Sequence, residues 1–124
     1  MRPVTWPFVS VILPVRNEGK HLLDCLASIA AQDYPPTQWE VIIVDGGSVD
    51  DTVRVAENWA ARDDRFTLLH NPRGIAASAL NIGIQVARGD VIVRVDGHTV
   101  LTSNYLTACI LAMGDDIQIA GVGG

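Results

Sequence analysis

Apolar residues along the chain follow two patterns that alternate from one end to the other. Short continuous runs rich in Val and Ile have the length and composition of buried strands, and they lie at 8–14, 39–45, 65–70, 91–95 and 117–122. Between these runs, apolar residues recur every three or four positions, which predicts amphipathic helices at about 20–31, 48–62, 75–87 and 102–113. The chain is therefore expected to alternate strand and helix, beginning and ending with a strand.

This order of elements is typical of an α/β fold. Right-handed crossovers make successive strands parallel within one sheet, and they place helices on both of its faces. Strands that are apolar on both sides fit the interior of such a sheet. The prediction is a Rossmann-like, mostly parallel sheet forming one unit over residues 1–124. Because no helix follows the last strand, we interpret the chain as the amino-terminal half of a larger domain.

Polar side chains follow three of the predicted strands at the points where these strands end. Adjacent parallel strands lie about 4.8 Å apart, and open α/β sheets bind ligands outside the carboxyl ends of their strands. The sequence therefore predicts one ligand crevice where these segments meet, and carboxylate and imidazole groups there could hold a divalent cation. The segments are Asn17-Glu18, Asp45-Gly46-Gly47-Ser48 and Asp96-Gly97-His98.

Several of these residues also have a simpler explanation. Asp50 and Asp51 suit the positive amino-terminal end of the second helix, and Ser48 is a plausible N-cap for it. His98 could be an ordinary loop histidine. Alternating positions on the fourth strand place Arg94 on the same face as Asp96, and the opposite face is apolar.

Composition and charge narrow the range of partners. The sequence is 48% hydrophobic and 19% charged, as expected for a globular chain, and its net charge of −5 without a basic run argues against nucleic acid. No apolar run approaches the roughly 18 residues needed to span a bilayer, and no signal peptide is visible. The expectation is a cytoplasmic chain, and a longer protein at the cytoplasmic face of the inner membrane remains open. Cys25 and Cys109 are expected to be small buried residues of a reduced protein.

Motifs that are missing exclude other nucleotide-binding folds. The first strand is not followed by the G-x-G-x-x-G of dinucleotide sites, and Lys20, the only lysine, is not part of a P-loop. A G-x-S-x-G nucleophile motif is also absent. A receiver-like carrier domain fits poorly because it requires a lysine late in the sheet.

Four segments, in order and at fitting spacing, resemble the inverting GT-A glycosyltransferases of family 2. The likeness covers nearly the whole chain and is strongest to enzymes of bacterial exopolysaccharide synthesis, succinoglycan-type enzymes included. The segments are the opening at 9–18, the counterpart of V-D-D-G-S-x-D-x-T at 44–52, the counterpart of N-x-G-x-x-x-A-x-N at 71–81, and Asp96-Gly97-His98 at the place of the D-x-D.

The resemblance implies hexosyl transfer with inversion, from a nucleotide-diphospho-sugar that is most often UDP-linked, to a glycan or lipid-linked acceptor in polysaccharide biosynthesis. It also implies a divalent metal, Mn²⁺ or Mg²⁺. In the family the general base lies in the second half of the domain, so the catalytic residue is expected beyond Gly124. The 124-residue chain is therefore expected to bind donor and to be inactive by itself. The alternative is a non-catalytic, truncated nucleotide-binding or assembly unit, and an exposed sheet edge could support a homo-oligomer.

Carried over by position, the resemblance also implies roles for individual residues. Asp45 would accept a hydrogen bond from N3–H of uracil, Asp96 would face ribose and metal, and His98 would face the metal. Two departures stand out: Gly46 replaces the second acid of the V-D-D pair, and His98 replaces an acid, which favours Mn²⁺ over Mg²⁺. The donor-binding set is Pro14, Val15, Arg16, Glu18, Asp45, Gly47, Ser48, Arg73, Gly74, Asn81, Asp96 and Gly97, and the metal ligands are Asp96 and His98.

Overall fold

The computed structural model describes residues 6–73, 76–113 and 121–123, and within these ranges it contains one five-stranded sheet and four helices. The strands are β1 (Val9–Val15), β2 (Trp39–Asp45), β3 (Phe66–His70), β4 (Val91–Arg94) and β5 (Gly121–Gly123). The helices are α1 (Leu22–Ala30), α2 (Thr52–Arg62), α3 (Ala76–Val86) and α4 (Tyr105–Met113).

The strands are all parallel and lie in the order β3-β2-β1-β4-β5. The register pairs Val15 with Asp45 and Asp45 with His70, so these three residues are neighbours at the carboxyl edge of the sheet. The mostly parallel sheet predicted from the sequence is confirmed. Its central strand, β1, lies between β2 and β4. Asp45 is the last residue of β2, and Asp96 follows the end of β4 by two residues.

Helices cover both faces of the sheet, as predicted. On one face, alternate residues of β1, β2 and β4 form the main core with apolar side chains of α1, α2 and α4. On the other face, Ile42 and Val44 pack against Ala79 of α3. The small residues of α3 allow this approach, because a Cβ on Gly83 would lie 2.7 Å from Cγ2 of Ile12. The face of the sheet that carries Ile12, Ile42 and Val44 therefore lies close to α3.

The structure differs from the sequence predictions at several element ends. The second helix begins at Thr52 and not near Ser48, and Asp51 at its N-cap position makes no side-chain capping bond. The prediction of Ser48 as N-cap was therefore wrong. Residue 75, Gly74 and most of the fifth predicted strand lie outside the described residues. Within the described ranges, every helix is too short or too polar to cross a membrane.

Candidate functional site

A cleft of about 160 Å³ opens at the carboxyl edge of the sheet, on the face that α3 covers. It is smaller than the roughly 300–1,000 Å³ of most ligand pockets, so it can enclose one part of an extended ligand. Four of the predicted donor-binding residues on the β1 side and Asp96 line it together. The full lining is Pro14, Val15, Arg16, Glu18, Val44, Gly46, Asn71, Ala79, Arg94 and Asp96.

The loop after β1 and the loop after β2 are joined by hydrogen bonds in which backbone N–H groups of one loop donate to side chains of the other. Both loops contain one residue with positive φ, Asn17 at 54° and Gly47 at 91°. The two loops therefore form one continuous wall of the cleft. The bonds run from Asn17 N to Ser48 Oγ (2.9 Å), Glu18 N to Thr52 Oγ1 (2.8 Å), Gly19 N to Asp50 Oδ2 (3.0 Å), and Val49 N to Asn17 Oδ1 (2.9 Å).

Asp50 belongs to this wall as a structural residue. Its carboxylate accepts hydrogen bonds from the backbone N–H and the hydroxyl of Thr52 and from the backbone N–H of Gly19. The hydroxyl of Thr52 is the main reason that the pKa of Asp50 is lowered. Asp51 pairs instead with Arg54 at 3.0 Å within α2. The capping explanation agrees with the contacts of Asp50, which accepts the backbone N–H of Thr52, whereas Asp51 makes no capping bond.

Asp45 is the most enclosed of the predicted site acids, with 5% of its side chain exposed. Its carboxylate accepts hydrogen bonds from the backbone N–H groups of Gly47 (3.0 Å) and Ser48 (3.3 Å) and so holds the turn after β2. Nδ1 of His70 lies 3.9 Å away. A carboxylate offers about four acceptor positions, so these bonds leave capacity for a ligand donor. Its neighbours Val44 and Gly46 line the cleft directly.

The turn after β4 carries Asp96, which lines the cleft, and His98, which lies beside Glu18 of the same lining. Their side chains are 43% and 60% exposed, so both can reach a ligand in solvent. Oδ1 of Asp96 lies 3.5 Å from Nη2 of Arg94, and Nδ1 of His98 lies 3.6 Å from Oε1 of Glu18. A Cβ on Gly97 would lie 2.9 Å from Cγ1 of Val15, so the turn rests against the loop after β1.

A buried thiol lies beneath this turn. Sγ of Cys25 is 3.6 Å from the backbone oxygen of Asp96. Burial, and then the negative charges of Glu18 and Asp96, raise the pKa of Cys25 to about 12. Cys25 is therefore a protonated packing residue at neutral pH. Both cysteines are free, and Cys25 is buried as predicted, whereas the prediction was wrong for Cys109, which is only partly buried.

The donor set of a metal site is incomplete within the described residues. No group of three or more His, Cys, Asp and Glu side chains converges there. Asp96 and His98 nevertheless suit a cation that is shared with a ligand, because Mg²⁺ and similar ions commonly bind one or two protein groups plus substrate phosphates and water. Both side chains are substantially exposed, so solvent and a ligand can reach them.

Seven of the predicted site residues are not part of the cleft lining: Asp45, Gly47, Ser48, Gly97 and His98 lie at or just beyond the ends of β2 and β4, and Arg73 and Asn81 belong to an adjoining pocket. Arg73 and Asn81 line a second pocket of about 230 Å³. Asn71 borders both pockets, is buried, accepts a hydrogen bond from the backbone N–H of Arg73, and donates its own backbone N–H to the oxygen of Asp45. Gly74 lies outside the described residues. The sequence-based site therefore separates into a main cleft and an adjoining pocket.

Sequence reasoning missed Arg94 and Asn71 as cleft residues. The signal for Arg94 was available, because it is a charged residue within an apolar strand and shares a face with Asp96. Asn71 opens the segment 71–81 that resembles a family motif, but it was not included among the predicted binding residues, and its burial shows only in the structure.

Comparisons with known proteins agree on the class that this fold and cleft define. The profile of glycosyl transferase family 2 matches residues 10–123. The chain is 36% identical over 99 residues to glycosyltransferase GlyG of Streptococcus pneumoniae, an alignment that covers 79% of this chain and 32% of that protein. The chain thus belongs to glycosyl transferase family 2, whose members have the GT-A fold. It spans about a third of the length of such curated relatives.

Solved structures of similar fold include two with nucleotide sugars. The mannosyltransferase PcManGT of Pyrobaculum calidifontis, solved with GDP-Man and Mn²⁺, matches with a TM-score of 0.82 and 31% identity, over 88% of this chain and 33% of that one. TarS of S. aureus, solved with UDP-GlcNAc, matches with a TM-score of 0.75 and 26% identity, over 86% of this chain and 31% of that one.

Proposed function

We propose that this chain carries the donor site of a glycosyltransferase that uses a nucleotide-diphospho-sugar. The observation that carries the proposal is the cleft at the carboxyl edge of the sheet, where Glu18, Arg94 and Asp96 meet in a member of family 2. Neighbouring structures contain GDP-Man or UDP-GlcNAc. We propose a UDP-linked donor for this chain, because a carboxylate at Asp45 can accept from N3–H of uracil.

The nucleoside would occupy the enclosed part of the cleft, between the joined loops and α3. In this arrangement Pro14, Val15 and Glu18 form its wall, and Gly47 and Ser48 keep Asp45 in place. The diphosphate would extend toward the mouth, where Arg16 and Asp96 lie. Arg73 and Asn81 line the adjoining pocket, and Gly74 follows Arg73 in the sequence. We propose that these three residues contact the diphosphate or the base.

Asp96 and His98 would hold the divalent cation, with diphosphate oxygens and water as its other ligands. When bound, the metal supplies charge neutralisation for the diphosphate that leaves. An imidazole ligand favours Mn²⁺ over Mg²⁺. Gly97 contributes by allowing the turn to lie against Val15, which fixes the two ligands relative to the loop after β1.

The proposed reaction is attack of an acceptor hydroxyl on the anomeric carbon, with inversion and departure of the nucleoside diphosphate. A general base must take the proton of that hydroxyl. We propose that this base, and most of the acceptor site, belong to the two thirds of the relatives' length that this chain does not span. The acceptor is proposed to be a glycan or lipid-linked sugar of bacterial exopolysaccharide synthesis.

Titration of the chain with UDP tests the donor site. We expect calorimetric binding of UDP with Mn²⁺, and we expect His98→Ala to weaken it about tenfold or more because one metal ligand is lost. His98→Asp restores the second acid of the D-x-D, so it should narrow the difference between UDP affinities measured in Mn²⁺ and in Mg²⁺.

His21→Ala is the matched control, since His21 is also exposed but lies at the start of α1. It should leave the UDP affinity unchanged. Absence of heat with UDP, GDP and other nucleoside diphosphates would overturn the donor site and favour the assembly-unit alternative. If His98→Ala and His21→Ala lowered the UDP affinity equally, His98 would not be a metal ligand.

A further inference from the structure

Arg94 is a charged residue of the cleft to which the proposed function gives no role. It is the last residue of β4, and its side chain is 44% exposed. Arg94 and Asp96 line the same cleft. Their closest atoms, Nη2 and Oδ1, are 3.5 Å apart.

This contact is long and partly exposed, which makes it easy to exchange. A 3.5 Å separation lies beyond the usual 2.7–2.9 Å of charge-assisted hydrogen bonds, and exposed ion pairs contribute little stability. The other carboxylate that lines the cleft, Glu18, has His98 as its near partner. Arg94 is therefore bound only weakly by Asp96, which is also the residue proposed to bind the metal.

We propose that Arg94 exchanges partners when donor binds, releasing Asp96 to the metal and binding the donor diphosphate. This inference rests on the proposed function. A divalent cation at Asp96 would repel the guanidinium that already neutralises this carboxylate. A diphosphate at the cleft mouth removes that conflict, because it is an anion that a planar guanidinium can bind through two parallel hydrogen bonds.

The exchange couples the two ligands. Metal alone must displace Arg94 from Asp96, whereas metal that arrives with UDP finds Asp96 released. By linkage, the factor by which Mn²⁺ tightens UDP equals the factor by which UDP tightens Mn²⁺. Arg94 should therefore strengthen UDP binding and at the same time weaken binding of Mn²⁺ alone.

Arg94→Gln tests this with two readouts of opposite sign. We expect UDP affinity in Mn²⁺ to fall about tenfold, as for loss of a hydrogen bond to a charged group. We expect affinity for Mn²⁺ alone, measured by electron paramagnetic resonance, to rise about threefold, as for loss of a weak competing ion pair. Uridine, which has no phosphates, should bind both proteins equally. Arg94→Lys should restore part of the UDP affinity because it keeps the charge.

Arg62→Gln is the control, since it removes the same charge from the last turn of α2, outside the cleft. It should change neither constant. If Arg94→Gln changes UDP and Mn²⁺ affinity in the same direction, or changes neither, the partner exchange is wrong while UDP binding by the unmodified chain still supports the donor site. Failure of the unmodified chain to bind UDP would instead overturn the proposed function itself.

Discussion

Glu40→Ala is expected to lower the free energy of unfolding by about 3 kcal/mol, a large part of the roughly 5–15 kcal/mol of a typical domain. Glu40 is a buried acid near the start of β2, at the opposite edge of the sheet from the cleft. Its Oε2 accepts hydrogen bonds from the hydroxyl of Ser10 (2.7 Å) and the backbone N–H of Arg88 (2.8 Å). Its Oε1 accepts from Nε of Arg88 at 3.1 Å.

The size of the effect follows from what the substitution leaves behind. Ser10 is fully buried, and its hydroxyl also accepts a hydrogen bond from the backbone N–H of Gly89 at 2.8 Å. Without Glu40, the buried Ser10 hydroxyl loses its acceptor, at a cost of about 1–3 kcal/mol, and Arg88 also loses the acceptor of its part-buried backbone N–H. Urea unfolding followed by circular dichroism measures the change.

Two variants separate this explanation from a general effect of removing an acid. Glu40→Gln keeps an acceptor at the Oε2 position and should cost only about 1 kcal/mol. Glu57→Ala, on the exposed face of α2, should change stability by less than about 0.5 kcal/mol. The folded Glu40→Ala protein should bind UDP normally, because Glu40 does not line the cleft. Equal stability of all three variants would refute the structural role of Glu40.

Asp45→Asn is expected to weaken UDP binding by about 10- to 100-fold, the range for a hydrogen bond to a charged group. The amide keeps an acceptor oxygen for the backbone N–H groups of Gly47 and Ser48, so the turn after β2 should persist. Its NH₂ group, however, would face the N3–H of uracil, and two donors cannot form a hydrogen bond with each other. Cytosine has an acceptor at N3, so the variant should lose little or no affinity for CDP.

Calorimetry with UDP, CDP and uridine tests this change in base preference. Uridine should lose affinity in Asp45→Asn in parallel with UDP, which distinguishes contact with the base from contact with the diphosphate. Asp64→Asn, an exposed substitution between α2 and β3, is the control and should leave all three affinities unchanged. Equal weakening of UDP and CDP would mean that Asp45 acts only through the turn and does not read the base.

The fold was predictable because its elements repeat a simple pattern. The apolar runs that became β1 and β2 are buried on both faces, as are the first three residues of β4. Element ends were less predictable, because they depend on contacts between distant residues. Ser48 shows this: it resembles an N-cap locally, but its hydroxyl accepts the backbone N–H of Asn17 from another loop.

The parts of the site that depend on where strands end could be predicted from the sequence. The parts that depend on contacts between distant residues could not. Asp96 and Glu18 line one cleft because β1 and β4 are neighbours, an outcome that the rule for α/β sheets anticipates. The enclosure of Asp45 depends on the conformation of the turn that follows it, with Gly47 at a positive φ, and that conformation is not visible in the residue pattern. The pairing of Glu40 with Arg88 joins residues 48 positions apart.

The central claim is that the acids at the strand ends bind a nucleotide and its cation in one cleft, and nuclear magnetic resonance tests it most directly. Amide spectra of the chain would be compared with UDP and Mg²⁺ and then with UDP and Mn²⁺, because paramagnetic Mn²⁺ broadens the resonances nearest to it. We expect broadening to be strongest at Asp96, Gly97, His98 and Glu18, and weakest at Gly89 near the opposite edge of the sheet. Broadening centred at that opposite edge, or no response to UDP in either metal, would contradict the account.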